Sequence, residues 1–202
     1  MKTVLKAIIF DIDGVLADSR DAVVQNTREL LSEYGFVVAD EKIRQMSSAH
    51  SAETVLTTLV PSLGENAKLL RGMLLRLSKI TSKNLHFVKE SGLARHVPLL
   101  SEKYLLAAAS NRKTSAKMVL EKLSVAQYFK VVVTSADAPP KPDPGMISLA
   151  LSKLGVAPGE AIFVGDNKED ETAGKAAGVK TILIDGTDEM ACGKFLREIG
   201  IC

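Results

Sequence analysis

The second half of the chain alternates short apolar runs with helical patterns, and this alternation restricts the fold more than any other feature. The apolar runs cover residues 104–109, 131–134, 161–164 and 181–184, and helical patterns cover 115–123, 145–154 and 171–177. Strands that alternate with helices pair in parallel through right-handed crossovers. With a further apolar run at residues 4–10, the pattern predicts an α/β fold with a Rossmann-like five-stranded parallel sheet.

Residues 20 to about 82 show helical periodicity and no strand pattern. The predicted helices lie near 21–34, 40–46, 52–59 and 65–80. A block of helices that follows a single strand indicates an all-helical insertion, here called the cap. We therefore predict an α/β core domain of residues 1–17 and 83–202, and a helical cap domain of residues 18–82.

Composition excludes several classes of function. A net charge of +2 gives no electrostatic reason to expect nucleic acid or an anionic membrane as a partner. The chain has no Trp and few other aromatic residues, so a base-stacking surface is not expected.

Cys192 and Cys202 lack metal-ligand spacing and fit a reducing compartment. The first apolar run meets Asp11 too early for a signal peptide, and no transmembrane segment follows, so a cytoplasmic protein is expected.

Two carboxylates stand where the first predicted strand ends, at Asp11 and Asp13. A carboxylate at a buried strand end is costly unless donors, a cation or a substrate satisfy it. Gly14 then allows a sharp turn beside the two acids. A calcium loop would need its glycine two positions later, so that reading fails. A turn whose aspartates cap a helix remains open from this segment alone.

Polar residues follow the other predicted strands at the corresponding ends. In open parallel sheets, ligands bind beyond the carboxyl ends of the strands. We therefore expect four groups of residues to converge: Asp11 and Asp13, Ser110 and Asn111, the proline-rich segment around Lys141, and Asp166 with Asp170.

This ordered set resembles the haloacid dehalogenase superfamily of phosphohydrolases over nearly the whole chain. The Asp11-x-Asp13-Gly14 segment matches the first motif of that family. The later motifs are matched by Ser110, by Lys141, and by Asp166 with Asp170. The helical block is similar to the cap of the phosphoglycolate phosphatase and β-phosphoglucomutase branch.

The resemblance implies a role for each residue type. Asp11 would be the nucleophile that forms an aspartyl phosphate, and Asp13 the general acid and then the general base. Lys141 would place a positive charge beside the phosphoryl oxygens. The hydroxyl of Ser110 and the backbone N–H of Asn111 would donate hydrogen bonds to the same oxygens.

The resemblance also implies a Mg²⁺ cofactor. A dianionic substrate needs a cation nearby when it approaches several aspartates, and Mg²⁺ prefers hard oxygen ligands such as carboxylates. The family binds the ion through residues that match Asp11, the backbone carbonyl of Asp13, and Asp166. Asp170 would support the metal site through water or hydrogen bonds.

The sequence is compatible with three functions. The first is a Mg²⁺-dependent phosphatase, a phosphoric monoester hydrolase that acts on a small phosphorylated metabolite as a monomer or homodimer. The second is a β-phosphoglucomutase-like sugar-phosphate mutase, which also needs Asp11 and Asp13. The third is a catalytically silent binding protein, disfavoured because every expected position is filled. Dehalogenase and phosphonatase readings are disfavoured because those branches lack the acid at Asp13.

The loop at residues 47–51 is the predicted determinant of specificity. It joins two predicted cap helices and carries hydrogen-bonding side chains, so Ser48 and His50 are candidate contacts to the leaving group. The absence of a fixed positive charge in this loop favours a small leaving group that bears hydroxyl or carboxylate. A structural alternative, in which the serines cap helices and His50 is solvated, stays equally open.

Overall fold

A computed structural model describes residues 4–47 and 52–201. The chain divides into two compact units. Unit 1 comprises Met1–Asp18 and Lys89–Cys202, and unit 2 comprises Ser19–Val88. The domain bounds proposed from the sequence remain a prediction. They are residues 1–17 and 83–202 for the core domain and residues 18–82 for the cap domain.

Unit 1 is built on a parallel sheet of five strands. The described residues form seven strands: β1 (Ala7–Phe10), β2 (Ala17–Asp18), β3 (Lys89–Glu90), β4 (Leu105–Ser110), β5 (Phe129–Thr134), β6 (Ala161–Gly165) and β7 (Lys180–Leu183). The large sheet has the order β5-β4-β1-β6-β7, and every pair in it is parallel. The predicted α/β class and the predicted five-stranded parallel sheet are confirmed.

Helices connect these strands. The described residues form nine α-helices: α1 (Arg20–Glu33), α2 (Asp40–Ser47), α3 (Ala52–Leu59), α4 (Ala67–Lys83), α5 (Val97–Ser101), α6 (Ala116–Lys122), α7 (Gly145–Leu154), α8 (Lys168–Ala176) and α9 (Glu189–Glu198). In unit 1, α7 packs against β4 and β5, and α8 packs against β6 and β7. No described helix has the length and apolar character needed to cross a bilayer.

Strand β1 lies at the centre of the sheet and is buried on both faces. Each of its four residues has no exposed surface. Ile9 and Ala7 pack into a cluster with Val133 of β5 and Met146 of α7. A strand covered on both faces reads as a continuous apolar run, which is why the sequence shows no alternation here.

Close packing of α8 on the sheet depends on a glycine. A Cβ atom placed on Gly174 would lie 1.8 Å from Thr181 Oγ1 and 3.3 Å from a ring carbon of Phe163. A side chain at this position would therefore push α8 away from β7. The contact matters for function because α8 carries Asp170.

Unit 2 contains α1 to α4, and its described residues form no strand. The helices share an apolar core that includes Leu30, Ile43, Leu56 and Met73. Exposed ion pairs join neighbouring helices, among them Arg76 with Glu33 at 2.6 Å. Such exposed pairs contribute little stability, so the shared core holds this unit together.

Strands β2 and β3 form a separate two-stranded antiparallel ladder, in which Ala17 pairs with Glu90 and Asp18 with Lys89. The sequence pattern predicts neither these strands nor α9. A strand of two residues is too short to show periodicity, so its pairing comes from the tertiary structure.

Candidate active site

Asp11 is positioned by the end of β1. Its backbone N–H donates to Val164 O at 2.8 Å, which extends the pairing of β1 with β6 by one residue. Its side chain is buried. The carboxylate therefore lies at the carboxyl edge of the sheet, where it needs partners to offset the loss of water.

Lys141 is the main partner of Asp11. Its Nζ lies 2.8 Å from Asp11 Oδ1 and 2.6 Å from Asp170 Oδ1, and all three side chains are buried. The same ammonium lies 5.4 Å from the ring centroid of Phe163. A single buried cation thus joins a strand-end carboxylate to a helix carboxylate.

Burial and charge act in opposite directions on these groups. Burial raises the pKa of Asp11 to about 7; Lys141 opposes the rise, and the charges of Asp170 and Asp13 add to it. Burial alone would lower the pKa of Lys141, but Asp11 and Asp170 outweigh it, so the pKa is raised and the ammonium stays charged. The cluster carries more negative than positive charge in a poorly solvated place.

Asp170 organises the turn that follows β6. Its Oδ2 accepts the backbone N–H groups of Asp166 at 3.0 Å and Asn167 at 3.3 Å. In return, Asn167 Oδ1 accepts the backbone N–H groups of Glu169 and Asp170 at the start of α8. This reciprocal arrangement is a capping box, and it fixes the backbone from which the Asp166 side chain projects.

Gly14 lets the Asp166 carboxylate approach the loop that follows β1. Gly14 has φ of +77°, and a Cβ atom there would lie 1.9 Å from Asp166 Oδ2. Gly186 supports the same loop, because its N–H donates to Gly14 O at 2.8 Å. Burial raises the pKa of Asp166 to about 6, and the charge of Asp170 adds to the rise.

Three of these carboxylates can share a cation. Asp11, Asp166 and Asp170 each offer one oxygen, and these oxygens lie within 4.8 Å of one another. Hard carboxylate oxygens in this arrangement fit Mg²⁺, and a cation would reduce the repulsion among the acids. Asp170 already has Lys141 on Oδ1 and two N–H groups on Oδ2, so Asp11 and Asp166 have the freer oxygens.

Asp13 has a partner that the sequence analysis missed. Arg112 Nε donates to Asp13 Oδ2 at 2.7 Å, and Arg112 Nη2 donates to Asp13 Oδ1 at 2.8 Å. Arg112 and Asp13 thus form a bidentate ion pair with two parallel hydrogen bonds, called the fork below. The sequence offers one indication of this role, because Arg112 lies two residues after Ser110 at a strand end. An arginine in a loop is ordinarily solvated, so this position alone does not predict the contact with Asp13.

Asn111 also has a role that the sequence did not indicate. Its side-chain Oδ1 accepts the Lys141 backbone N–H at 2.8 Å, and its Nδ2 donates to Lys141 O at 3.2 Å. Both bonds go to the backbone of the residue whose ammonium joins Asp11 to Asp170. The neighbouring Ser110 is buried, and its Oγ accepts the Arg112 N–H at 3.3 Å.

The described residues therefore bring together the strand-end groups that the sequence singled out. Direct contacts join Asp11, Lys141 and Asp170, and Asp166 lies beside them through its turn. Asp13 is joined through Arg112 to the loop after β4. The predicted specificity contacts Ser48 and His50 lie outside the described residues.

A parallel sheet with an aspartate, a lysine and further acids at its carboxyl edge defines a class of α/β hydrolases. The family model of the haloacid dehalogenase-like hydrolases matches residues 8–184. The chain belongs to this family. The predicted family and the predicted enzyme class are thereby confirmed.

Individual relatives agree with this membership. The chain is 32% identical over 185 residues to pyrophosphatase PpaX of Bacillus velezensis, covering 87% of this chain and 81% of the relative. A putative phosphoglycolate phosphatase from Lactobacillus plantarum shares the fold, with a TM-score of 0.79, 24% identity, and coverage of 95% and 91% of the two chains. A putative β-phosphoglucomutase from Thermotoga maritima has a TM-score of 0.67 and 26% identity, covering 97% of this chain and 92% of that one.

Proposed function

We propose that this protein is a Mg²⁺-dependent phosphatase that hydrolyses a small phosphorylated metabolite through an aspartyl phosphate. The observation that carries the proposal is the ion pair of buried Lys141 with Asp11 and Asp170, beside Asp166. A buried, polarised carboxylate next to a fixed ammonium supplies a nucleophile and a charge that can bind a phosphoryl group. Family membership supports the same chemistry.

In the proposed reaction, a carboxylate oxygen of Asp11 attacks phosphorus and the bond from phosphorus to the leaving oxygen breaks. The leaving oxygen takes a proton from Asp13. A water oxygen then attacks the phosphorus of the aspartyl phosphate, Asp13 takes the proton of that water, and the bond from Asp11 to phosphorus breaks. Lys141 and the Ser110 hydroxyl hold phosphoryl oxygens throughout.

Asp11, the backbone carbonyl of Asp13, and Asp166 are the proposed Mg²⁺ ligands, with Asp170 as support. Mg²⁺ at this place would neutralise phosphoryl charge and orient the group for in-line attack. The absence of a side chain at Gly14 leaves room for the Asp166 carboxylate at the proposed metal site. Asp170 fixes the Asp166 backbone through its N–H group.

The relatives' names support a small phosphorylated substrate, from pyrophosphate to phosphoglycolate. The strand-end residues bind the group that all such substrates share, so they discriminate poorly among leaving groups. We propose that Ser48 and His50 in the 47–51 loop supply that discrimination. A small leaving group with a hydroxyl or a carboxylate fits their hydrogen-bonding chemistry.

The test is phosphate release by purified protein from a panel of phosphate monoesters and pyrophosphate in Mg²⁺ buffer. We expect release from several of these compounds, with a preference for one group. If no compound on a broad panel releases phosphate, the phosphatase proposal is wrong.

The mutase is the second candidate, favoured by the similarity to the putative β-phosphoglucomutase over nearly the whole chain. Both reactions use Asp11 as the nucleophile and Asp13 as the acid. A mutase must rebind a bisphosphate intermediate, so its activity would require a sugar bisphosphate activator. Phosphate release without such an activator distinguishes the phosphatase from the mutase.

Loss of the Asn111 amide is expected to lower kcat strongly and to lower the free energy of unfolding to a smaller extent. In Asn111→Ala the Lys141 backbone loses both hydrogen bonds, so the ammonium is held less firmly between Asp11 and Asp170. We expect kcat to fall by about 10- to 100-fold, in line with the cost of small misplacements in active sites. Steady-state kinetics and thermal unfolding of the same sample measure the two effects.

Asn66→Ala is the matched control for the loss of an amide. Asn66 caps α4 by accepting the Leu69 N–H at 3.0 Å, within unit 2. Its loss should lower stability by about 1 kcal/mol, as for other N-caps, and leave kcat near the wild-type value. Equal losses of kcat in both variants would contradict a specific role of Asn111 at Lys141.

A further inference from the structure

The fork between Arg112 and Asp13 lies at the candidate active site but has no place in the chemistry described so far. It joins the loop after β1 to the loop after β4, which are far apart in the sequence. Two parallel N–H···O bonds fix the plane of a carboxylate, which a single bond cannot do. Asp13 is thus held in one orientation by a residue outside its own loop.

Arg112 is itself well fixed. Its side chain is 12% exposed, whereas that of Asp13 is 38% exposed. Its Nη1 donates to the Oγ of Ser115, a buried residue, at 3.0 Å. Its backbone N–H is bound to Ser110 Oγ. The guanidinium is therefore a rigid support, and Asp13 is the more accessible partner of the pair.

The geometry of the fork leaves Asp13 able to react. Each carboxylate oxygen has two lone pairs, and the fork uses one on each oxygen. The fork therefore does not itself block protonation of the carboxylate, and the proton on a carboxyl oxygen is what passes to the leaving oxygen. By contrast, Arg112 already uses three of its five N–H donors in the fork and on Ser115, and little of its surface is exposed. These contacts favour a support for Asp13 over a binding site for the substrate.

We propose that Arg112 is the positioning residue for Asp13, and that it holds the carboxylate in the orientation that transfers a proton to the leaving oxygen. The proposal rests on the phosphatase reaction given above. In that reaction the proton moves from Asp13 to the leaving oxygen as its bond to phosphorus breaks. Arg112 acts through Asp13 and does not touch the substrate.

A comparison of two leaving groups tests this role. p-Nitrophenolate leaves readily without a proton, whereas an alkoxide, as from glycerol phosphate, needs one. For Arg112→Met we expect kcat/KM on the alkyl ester to fall by about 10- to 100-fold, a part of the 10²- to 10⁴-fold that general acids supply. On the aryl ester we expect kcat/KM to fall by less than about threefold, because kcat/KM reports the steps up to loss of the leaving group, where proton transfer matters little, and not the later attack of water.

Two further variants sharpen the test. Arg112→Lys keeps the charge but presents no fork, so the alkyl ester should recover only in part. Arg112→Met combined with Asp13→Asn should be no slower on the alkyl ester than Asp13→Asn alone, because residues that act as one unit are not additive. The lysine variant also serves if the methionine variant does not fold.

Arg95→Met is the matched control. Arg95 pairs with Glu189 at 2.7 Å in the same unit, but both side chains are more than half exposed. Its loss should leave the ratio of alkyl to aryl activity unchanged. A ratio that shifts equally in Arg95→Met and Arg112→Met would overturn the inference.

Other outcomes separate the inference from the function on which it rests. Equal falls in kcat/KM on both esters, or a rise in KM with kcat unchanged, would show that Arg112 does not act through the proton transfer from Asp13 to the leaving oxygen. Wild-type protein that hydrolyses neither ester in Mg²⁺ would instead overturn the phosphatase proposal, and the role of Arg112 with it. Aryl hydrolysis by the wild type supports the phosphatase even if the ratio in Arg112→Met does not move.

Discussion

Asp11→Asn is expected to abolish turnover while the fold is retained. The amide cannot act as the attacking carboxylate, and loss of the nucleophile lowers kcat by roughly six orders of magnitude in a serine protease. Its Oδ1 can still accept from Lys141, which also keeps Asp170 as a partner. Single-turnover and steady-state phosphate release measure the loss. Near-normal activity in a rigorously purified sample would contradict the assignment of Asp11.

The difference in Tm between Asp11→Asn and the wild type is expected to depend on pH. The pKa of Asp11 is about 7 in the folded chain, against an ordinary value of 3.8, and burial is the main cause. Between these values the folded state binds the proton more tightly than the unfolded state, so the contribution of Asp11 to stability decreases as pH rises through this window. In metal-free buffer, the Tm of Asp11→Asn relative to wild type should therefore be higher at pH 8 than at pH 5.

Removal of divalent metal is the other large expected effect. Chelation should stop phosphate release, and added Mg²⁺ should restore it, because the four acids of the site otherwise repel a phosphate dianion. Ca²⁺ should restore it poorly, since it prefers larger and looser coordination. Full activity after exhaustive metal removal would contradict the proposed mechanism.

Mg²⁺ binding can also be measured without turnover. A ligand that binds the folded state raises Tm, so Mg²⁺ should stabilise the wild type. Asp166→Asn should lose most of this rise, because Asp166 lies in the acidic cluster with Asp11 and Asp170. Glu171→Gln, which removes an exposed acid from α8, should keep it. Equal rises in both variants would place the ion elsewhere.

The sequence was sufficient to predict the five-stranded sheet, because each of its strands carries a local pattern of apolar residues. The apolar run of β1 is an example, and the end of α7 is marked by Gly155, which adopts the left-handed φ of +68° that ends this helix. From that sheet, the rule that ligands bind beyond the carboxyl ends of parallel strands predicts that Asp11, Lys141 and Asp170 lie near one another. That convergence is a property of topology, so a sequence pattern can predict it.

The contacts of Arg112 and Asn111 could not be predicted in the same way. Each depends on where a side chain points after two loops from distant parts of the chain have packed together. No local propensity encodes such a pairing, and neither residue type is unusual in a loop. The 47–51 loop is a different case, because its predicted contacts Ser48 and His50 lie outside the described residues.

The short ladder of β2 and β3 has a consequence for how such a protein can change. Asp18 and Lys89 are paired across it, so the chain leaves the sheet-bearing unit and returns to it at neighbouring points. Paired antiparallel residues lie about 5 Å apart, a gap that a two-residue hairpin turn can close. Residues 19–88 are therefore an insertion, and an insertion of another length or sequence at this point would leave the strand order of the sheet unchanged. Evolution can retain the chemistry at the strand ends while it exchanges the inserted segment.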